Sequence, residues 1–366
     1  MAVTIGDVAQ CLESFAPLRY QESYDNAGLL VGDRNQPVNG VLICLDSTEA
    51  VLEEAIRHGC NLIVAHHPIV FSGLKRFTGA TYIERVVMGA IRNNIAIYAA
   101  HTNLDNVQDG VNARIAERIG LLDTRILSPK KGLLRKLVTF VPHAQAEHVR
   151  EAMFQAGAGH IGEYDNCSFN VEGTGTFRGG AGTNPAVGKP GENHREPETR
   201  IELIYPAYRE SAILKALFSA HPYEEVAYDI YSLENQYNEV GSGLIGRLPE
   251  PMDGRNFLLD LKKRMGAEVV RHTQLLDRKV QKIAVCGGSG SFLLNDARRQ
   301  GADVLVTADF KYHQFFDAEG DIIIADIGHY ESEQFTGELF RDLILKNFTT
   351  FAVRLTEVRT NPVYYL

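Results

Sequence analysis

The sequence lacks the features that mark membrane, secreted and nucleic-acid-binding proteins. No apolar run among its 366 residues approaches the roughly 20 that a membrane-spanning helix needs. Its first residues, Met-Ala-Val-Thr-Ile-Gly-Asp, have neither the basic start nor the apolar core of a secretory signal peptide. Lysines and arginines do not cluster among aromatic residues, and the formal net charge is −9, which favours neither nucleic acid nor an anionic membrane as a partner. We therefore expect a cytoplasmic globular protein.

Cysteine is also scarce in this chain. There are 5 cysteines, an odd number, and no Cys-x-x-Cys pair occurs. Cys44 and Cys286 lie inside apolar runs, where a small buried hydrophobic side chain is the simplest interpretation. We expect free thiols in a reducing compartment rather than a disulfide framework. The remaining composition, 45% hydrophobic and 23% charged, is that of an ordinary globular protein with room for two or three domains.

Three apolar runs are each followed by residue types that bind metals. Each run has the composition of a buried strand, and open α/β sheets place their sites at the carboxyl ends of parallel strands. Three such strand ends in one chain predict a shared site. The runs span residues 61–65, 95–100 and 322–325, and the segments that follow them are His66-His67-Pro68, His101-Thr-Asn-Leu-Asp105 and Asp326-Ile-Gly-His329-Tyr-Glu-Ser-Glu333.

The pair His329 and Glu333 is weak evidence when it is taken alone. The segment that runs on to Lys346 has the composition of a helix, and residues four apart share a helix face. An imidazole and a carboxylate on one face suit a divalent metal, but the same pair also forms ordinary surface hydrogen bonds. The two matching strand ends in the N-terminal half favour the metal site.

Strands and helices alternate at both ends of the chain, which is typical of a mostly parallel sheet with helices on its faces. A constant offset of 242 residues relates the two ends, since Cys44 to Gly59 and Cys286 to Gly301 span the same length. This offset places His67 opposite Asp309. We interpret the pattern as a duplicated α/β unit, although two parallel sheets can also look alike for purely physical reasons.

The middle of the chain has a different character. Its predicted order of elements, β-α-β-β-α-β, is that of a ferredoxin-like α+β domain. The connection Gly173–Glu198 is rich in Gly, Asn and Pro, and we expect a long mobile or functional loop there. We predict an N-terminal half of the α/β body at 1–126, an inserted domain at 127–242, and a C-terminal half at 243–366.

Six motifs together resemble the Nif-three-like dinuclear-metal family, whose members are also described as GTP cyclohydrolase I type 2 homologues. The insert is similar to that of longer bacterial members, a CutA/PII-like domain, and His221-Pro-Tyr-Glu-Glu225 carries this likeness. Two positions depart from the family pattern, Tyr24 in place of Trp and Ala308 in place of Gly, and neither is a proposed ligand. The motifs are His66-His67-Pro68, His101-Thr-Asn-Leu-Asp105, Thr307-Ala-Asp309-x-x-Tyr-His313, Gly328-His329-Tyr-x-x-Glu333, Tyr24-Asp-Asn-x-Gly-Leu-Leu-Val-Gly32 and Cys286-Gly-Gly-Ser-Gly290.

The resemblance implies two intertwined α/β units with mostly parallel sheets, interrupted by the insert and assembled as a homohexamer. It implies paired metals, with Asp105 and Glu333 as candidate shared ligands. Imidazole and carboxylate ligands suit two divalent transition metals, with Zn as first choice and Mn, Fe or Co as alternatives. The ligand residues carried over from the family are His66, His67, Asp105, His329 and Glu333.

A water held between two such cations loses its proton near neutral pH, so the resemblance implies hydrolysis of a nucleotide-type substrate by a metal-bridging hydroxide. Besides Glu333, His313 or His101 could move protons, although His101 could equally make a plain strand-end hydrogen bond. Asp309 could orient a histidine ligand. The alternative function is a non-catalytic metal-trafficking or regulatory scaffold.

The stretch Gly287-Gly-Ser-Gly290 has two interpretations. Backbone N–H groups at a strand-to-helix turn can hold a phosphate. However, the stretch lacks the lysine of the full phosphate-loop pattern, and a plain tight turn explains it as well.

Overall fold

The computed structural model describes residues 2–366, which form two compact units. The first unit combines the segment up to Pro129 with the segment from Asn238 onward, and Lys130–Tyr237 form the second. The chain therefore leaves one folded body, builds another, and returns to complete the first.

The N-terminal half alternates strands and helices. Strands β2, β3 and β4 pair in parallel, β1 pairs antiparallel with β4 at one edge, and every residue of the three central strands is buried. Continuous apolar strands of this kind require helices on both faces of the sheet. The elements are α1 (Ile5–Phe15), β1 (Gly28–Val31), β2 (Gly40–Cys44), α2 (Glu49–Arg57), β3 (Leu62–Ala65), α3 (Tyr82–Arg92), β4 (Ala96–Ala99), α4 (Thr102–Asp105), α5 (Val111–Ile119) and β5 (Leu122–Lys130).

Helix starts in this half follow their capping residues. The hydroxyl of Thr4 accepts from the backbone N–H of Asp7, and the Asp7 carboxylate accepts from the N–H of Thr4, which completes a capping box at α1. Thr48 caps α2 and Thr81 caps α3 through the same kind of side-chain contact. Local sequence therefore determines where these helices begin.

The inserted unit has the predicted order of elements. Its four strands form an antiparallel sheet in the order β7-β8-β6-β9, the arrangement of a ferredoxin-like domain. Apolar residues of both helices pack on one face of this sheet. The elements are β6 (Leu134–Pro142), α6 (Ala146–Gln155), β7 (Phe169–Arg178), β8 (Asn193–Pro206), α7 (Glu210–Ala220) and β9 (Tyr228–Leu233).

The C-terminal half builds a second, six-stranded sheet in the order β11-β14-β13-β12-β10-β5. Strand β5 reaches this sheet from the N-terminal half, and the last strand of the chain, β15, pairs with β2 in the first sheet. The two halves are therefore intertwined. The elements are β10 (Tyr237–Met252), α8 (Gly254–Arg264), β11 (Arg271–His272), β12 (Val280–Ser289), α9 (Leu294–Arg299), β13 (Val304–Ala308), β14 (Ile323–Asp326), α10 (His329–Glu333), α11 (Thr336–Asn347) and β15 (Ala352–Leu355).

The offset of 242 residues relates the strand pairing of the two sheets. Val41 is paired with Leu62 in the first sheet, and Ile283 is paired with Val304 in the second. An antiparallel strand closes the same edge in both sheets, β1 beside β4 and β11 beside β14. The duplicated α/β unit is thus visible in register as well as in sequence spacing.

Two sequence-based expectations need correction. The expected long loop Gly173–Glu198 is shorter than predicted, because β7 and β8 stay paired as far as Arg178 and Asn193 and leave residues 179–192 as the connection. The glycines had suggested a loop, but cross-strand pairing overrides that local preference. The helix expected to run from the strand end to Lys346 is divided into α10 and α11, and the side chain of Gln334 between them donates to the carbonyl of Glu331.

Two further expectations concern membranes and disulfides. Among the described residues, none of the helices is both long and apolar enough to cross a membrane. All five cysteines have free thiols, and Cys44 and Cys286 are buried in strands as expected.

Candidate metal centre

Six side chains from the three predicted strand ends converge inside the first unit. We call them the His–Glu cluster. His66 and His67 follow β3, His101 follows β4, and Asp105 ends the short helix α4 that comes next. His329 and Glu333 lie on α10, which follows β14. The cluster is composed of His66, His67, His101, Asp105, His329 and Glu333.

Glu333 lies at the centre of the cluster and is only 3% exposed. Its Oε2 is 3.0 Å from Nε2 of His67 and 3.1 Å from Nε2 of His329. Its Oε1 faces the other way, 3.8 Å from Nε2 of His66. One carboxylate therefore presents each of its oxygens to a different set of histidines, as a shared ligand of two ions would.

Each histidine of the cluster is held through Nδ1. The carbonyl of Ala100 accepts from Nδ1 of His66 at 2.8 Å, and a carbonyl can only accept. Nδ1 of His66 must therefore carry the proton, and Nε2 presents its lone pair to the cluster. The other three Nδ1 atoms contact carboxylates, in the pairs His67–Asp46 at 2.7 Å, His101–Asp25 at 2.8 Å and His329–Asp309 at 2.6 Å.

This arrangement is typical of metal-binding histidines, which donate their other ring nitrogen to a carboxylate or carbonyl. The carboxylates are anchored in turn. Thr360 donates to Asp46 at 2.7 Å, and the backbone N–H of Thr102 donates to Asp25 at 3.0 Å. Each of these carboxylates therefore orients an imidazole, Asp46 that of His67 and Asp25 that of His101.

Two buried atoms in the cluster have no hydrogen-bond partner among the described residues. These are Nε2 of His66 and Oδ1 of Asp105, which lie 3.6 Å apart. A buried polar atom without a partner costs about 1–3 kcal/mol, so such atoms usually have one. A cation between these two acceptors would satisfy both of them. The residues present therefore fit a bound metal.

The ligand atoms divide into two groups that share His67. In each group the atoms lie within 4.8 Å of one another, and the groups are His66, His67 and His101 on one side and His67, His329 and Glu333 on the other. His101 was expected to move protons, yet its ring lies 5.3 Å from that of His66 and it belongs to the first group. Its spacing of four residues from Asp105 was the sequence signal that could have marked it as a ligand.

The protonation of the cluster follows from burial and from contacts with carboxylates. Burial lowers the pKa of His67, but hydrogen bonds to Asp46 and Glu333 outweigh it and raise that pKa to about 9. Burial also lowers the pKa of His329, but hydrogen bonds to Asp309 and Glu333 outweigh it and raise that pKa to about 11. Burial, together with the charge of Glu333, raises the pKa of Asp105 to about 8. Without a metal the cluster therefore holds protons that a metal must displace.

The stretch Gly287–Gly290 makes room for Glu333 rather than for a phosphate. Gly288 has φ +60°, and a Cβ there would overlap Oε1 of Glu333. The N–H of Gly288 donates to Ser332 and that of Gly287 donates to Asn112, both at 2.9 Å. Because these N–H groups already have acceptors, they are not available as a phosphate cradle.

The structure does not bring His313 into the cluster. It lies in a 3-10 turn, Tyr312–Ala318, with an exposed side chain, and its ring contacts are with Tyr312 and Phe316. A cavity of about 720 Å³ opens instead over His67, His101 and His329. Its other walls include apolar side chains and the C-terminal segment, namely Leu45, Phe71, Val269, Pro362, Val363 and Tyr365.

Comparison with known proteins gives consistent matches over nearly the whole chain. A family model described as Duf34/NIF3 (NGG1p interacting factor 3) matches residues 3–362. A Halalkalibacterium halodurans protein named GTP cyclohydrolase 1 type 2 homolog is 43% identical over 324 residues, which cover 88% of this chain and 87% of that protein. A Bacillus subtilis protein of the same name is 39% identical over 364 residues, 98% of each chain.

A solved structure gives the same result for the fold. The crystal structure of a Bacillus cereus protein described as related to NIF3 superposes with a TM-score of 0.85 at 39% identity. The superposition covers 99% of both chains.

Proposed function

This chain belongs to the Duf34/NIF3 family, as its motifs indicated, and on that premise we propose that it is a metal-dependent hydrolase of a nucleotide-type substrate. The observation that carries the proposal is the His–Glu cluster, in which four imidazoles are held at Nδ1 and the Nε2 atoms of His66, His67 and His329 lie 3.0–3.8 Å from Glu333. The two groups of ligand atoms share His67, and Glu333 presents one oxygen toward His66 and the other toward His67, which suits two ions.

The donor set limits which metals fit. Imidazole and carboxylate ligands suit Zn, Mn, Fe and Co, whereas Ca and Mg prefer all-oxygen shells. No thiol contributes to either group of ligand atoms in the described residues, which argues against a structural zinc clamp. We therefore propose two divalent transition-metal ions, with zinc as first choice.

The cavity determines how a substrate would approach. His67, His101 and His329 line it, whereas Glu333 and His66 are buried beneath them. A substrate would therefore contact the cluster from the side of these three imidazoles. When bound, the metals would polarise an electrophilic centre and lower the pKa of a coordinated water.

The residues around the cluster hold its geometry while a substrate binds. Asp46 and Asp309 fix the rings of His67 and His329, so that neither imidazole has to rotate when a ligand arrives. Phe71 lies at the mouth, with its ring 6.2 Å from His101 and 6.2 Å from Tyr24. This exposed aromatic pair could stack on a flat heterocycle, and it supports the nucleotide-type substrate that the relatives' name suggests.

A turnover assay tests the proposal. Metal-loaded protein is incubated with GTP and with a panel of nucleotides and phosphoesters, beside Glu333→Ala and the control His58→Ala, which changes an exposed histidine outside the cluster. We expect turnover that Glu333→Ala abolishes and His58→Ala retains. Metal that exchanges readily with chelators, without turnover of any substrate, would favour the metal-trafficking or regulatory scaffold instead.

The homohexamer implied by the family resemblance is part of the proposal. Sedimentation velocity of the full chain tests it, and a monomer at micromolar concentration would contradict it.

A further inference from the structure

The inserted unit contains a cavity of about 590 Å³ that is separate from the His–Glu cluster. It lies on the sheet face opposite the helices. Ile201, Leu203 and Tyr205 of β8 pack with the helices, so the alternating residues Glu198 and Arg200 point to the other face. The neighbouring strand residues that pair with them, such as Gly173 and Val171, share that face.

Two glycines of β7 open this cavity. Along the cavity face of the strand the residues are Val171, Gly173, Gly175 and Phe177, so the middle of the row has no side chains. The carboxylate of Glu198 lies where a Cβ at Gly175 would be, whereas a Cβ at Gly173 would have only the carbonyl oxygen of Glu198 nearby, at 4.0 Å. The strand therefore leaves open space at Gly173, which is paired with Glu198.

Glu198 places a nearly unpartnered charge in the cavity. The residue is only 8% exposed, and its Oε1 accepts from the hydroxyl of Tyr223 at 2.8 Å. Among the described residues, none donates a hydrogen bond to its Oε2. A carboxylate this deeply buried normally has a cation or several donors as partners.

The other charges of the cavity do not neutralise Glu198. Two more glutamates line it, Glu224 and Glu225, against a single guanidinium among the described residues. That guanidinium belongs to Arg200 and is engaged by Glu202 at 2.8 Å. The cavity therefore has an excess of negative charge.

The walls of the cavity are apolar, and a hydrogen bond connects two segments of its rim. Phe140, Val171, Phe177 and Pro185 supply aromatic and aliphatic surface. The backbone N–H of Asn184 donates to Glu224 at 3.0 Å, which holds the hairpin loop against the segment before β9. The volume is within the range of about 300–1,000 Å³ that small-molecule sites occupy.

From this geometry we propose that the inserted unit binds a small organic cation, in which an ammonium, amidinium or guanidinium group on a flat apolar body contacts Glu198. The buried carboxylate would recognise the charge, and a planar amidinium could contact it with two parallel hydrogen bonds. The apolar walls would bury the body of the ligand. The site is independent of the metal chemistry proposed above.

Binding of benzamidine to the full chain tests the proposal, with neutral benzamide as the matched control ligand. Titration by calorimetry and by ligand-observed NMR would compare the wild type with three variants. Glu198→Gln removes the buried charge and keeps an acceptor for Tyr223. Gly173→Val fills the cavity at a position where a Cβ meets only the carbonyl of Glu198, at 4.0 Å. Glu172→Gln makes the same chemical change as the first variant on an exposed carboxylate.

We expect saturable benzamidine binding in the wild type with a Kd of about 0.1–1 mM, and weaker binding of benzamide by about tenfold or more. Glu198→Gln should weaken benzamidine binding about tenfold and Gly173→Val should abolish it, whereas Glu172→Gln should change it less than about twofold. Far-UV circular dichroism checks the fold, and if Gly173→Val fails to fold, Glu198→Gln decides alone.

Three results would overturn the proposal. They are equal binding of benzamide and benzamidine, equal effects of Glu198→Gln and Glu172→Gln, and no saturable benzamidine binding up to about 10 mM. Sedimentation velocity tests whether a second copy of the chain, rather than a small molecule, occupies this face of the sheet. A change of assembly state in Glu198→Gln, without any ligand effect, would mean that a second copy of the chain covers this face.

Discussion

The contact between Gly288 and Glu333 allows a sharp test of the metal centre. Gly288→Ala places a methyl group where Oε1 of Glu333 lies, at a backbone φ of +60° that side chains rarely adopt. The left-handed backbone costs about 1–2 kcal/mol, and the carboxylate must also retreat by about half an ångström or more to remove the overlap. A shift of this size exceeds what a metal site tolerates, so we expect metal affinity to fall about 10–100-fold, or about 1.4–2.8 kcal/mol.

Gly59→Ala is the matched control for the free-energy cost of placing a side chain on a left-handed backbone. Gly59 has φ +66°, and a Cβ there would meet nothing within 4 Å. This variant should lose about 1 kcal/mol of unfolding free energy while keeping its metal affinity. Competition with a chromophoric chelator measures the affinity of each apo protein for zinc, and urea titration measures its stability. Equal metal affinity in Gly288→Ala, Gly59→Ala and the wild type would refute the placement of Glu333 as a ligand.

Three other perturbations have defined outcomes. Asp309→Asn should weaken zinc binding about tenfold, because the amide would orient the His329 ring through Nδ1 less firmly than the carboxylate does. An unchanged zinc affinity in the chelator competition would contradict this role of Asp309. His101→Ala should lose bound metal whereas His313→Ala should not, and equal metal content by elemental mass spectrometry would place His101 outside the ligand set. Burial lowers the pKa of His221. Its Nδ1 accepts from the backbone N–H of Tyr223 and its Nε2 donates to the carbonyl of Phe140, so the imidazole resists protonation in the folded protein. Below the unfolded pKa of about 6.5 the unfolded chain binds more protons, and stability of the insert should fall as pH falls. Hydrogen exchange of the β6 amides measures this effect, and a pH dependence unchanged by His221→Gln would exclude it.

The sequence predicted the features of the fold and of the site that depend on a single local rule. Apolar runs marked the central strands within a residue or two. Five residues were candidate ligands because they follow predicted strands, and the structure places all five side chains in one cluster. They are His66, His67, Asp105, His329 and Glu333. Parallel strands align their carboxyl ends, so polar residues after such strands tend to meet.

Features that depend on long-range contacts were not predictable in this way. Nothing in the local sequence says that Asp46 holds His67 or that Asp25 holds His101, because the first pair is 21 residues apart and the second is 76 apart. The strand ends that shorten the expected loop 173–198 depend on pairing between β7 and β8. Glycines in that segment suggested flexibility, whereas Gly175 makes room for the carboxylate of Glu198 and Gly173 leaves open space in the cavity.

The most direct test of the central claim is a metal count per chain. Protein purified without chelator, and apo protein reloaded with zinc, would be measured by elemental mass spectrometry beside a His67→Ala/Glu333→Ala double variant. We expect about two equivalents of a divalent transition metal in the wild type, and their loss in the variant, because both groups of ligand atoms require His67. Less than about half an equivalent after reloading, unchanged in the variant, would contradict it and leave the cluster as a set of hydrogen-bonded polar side chains.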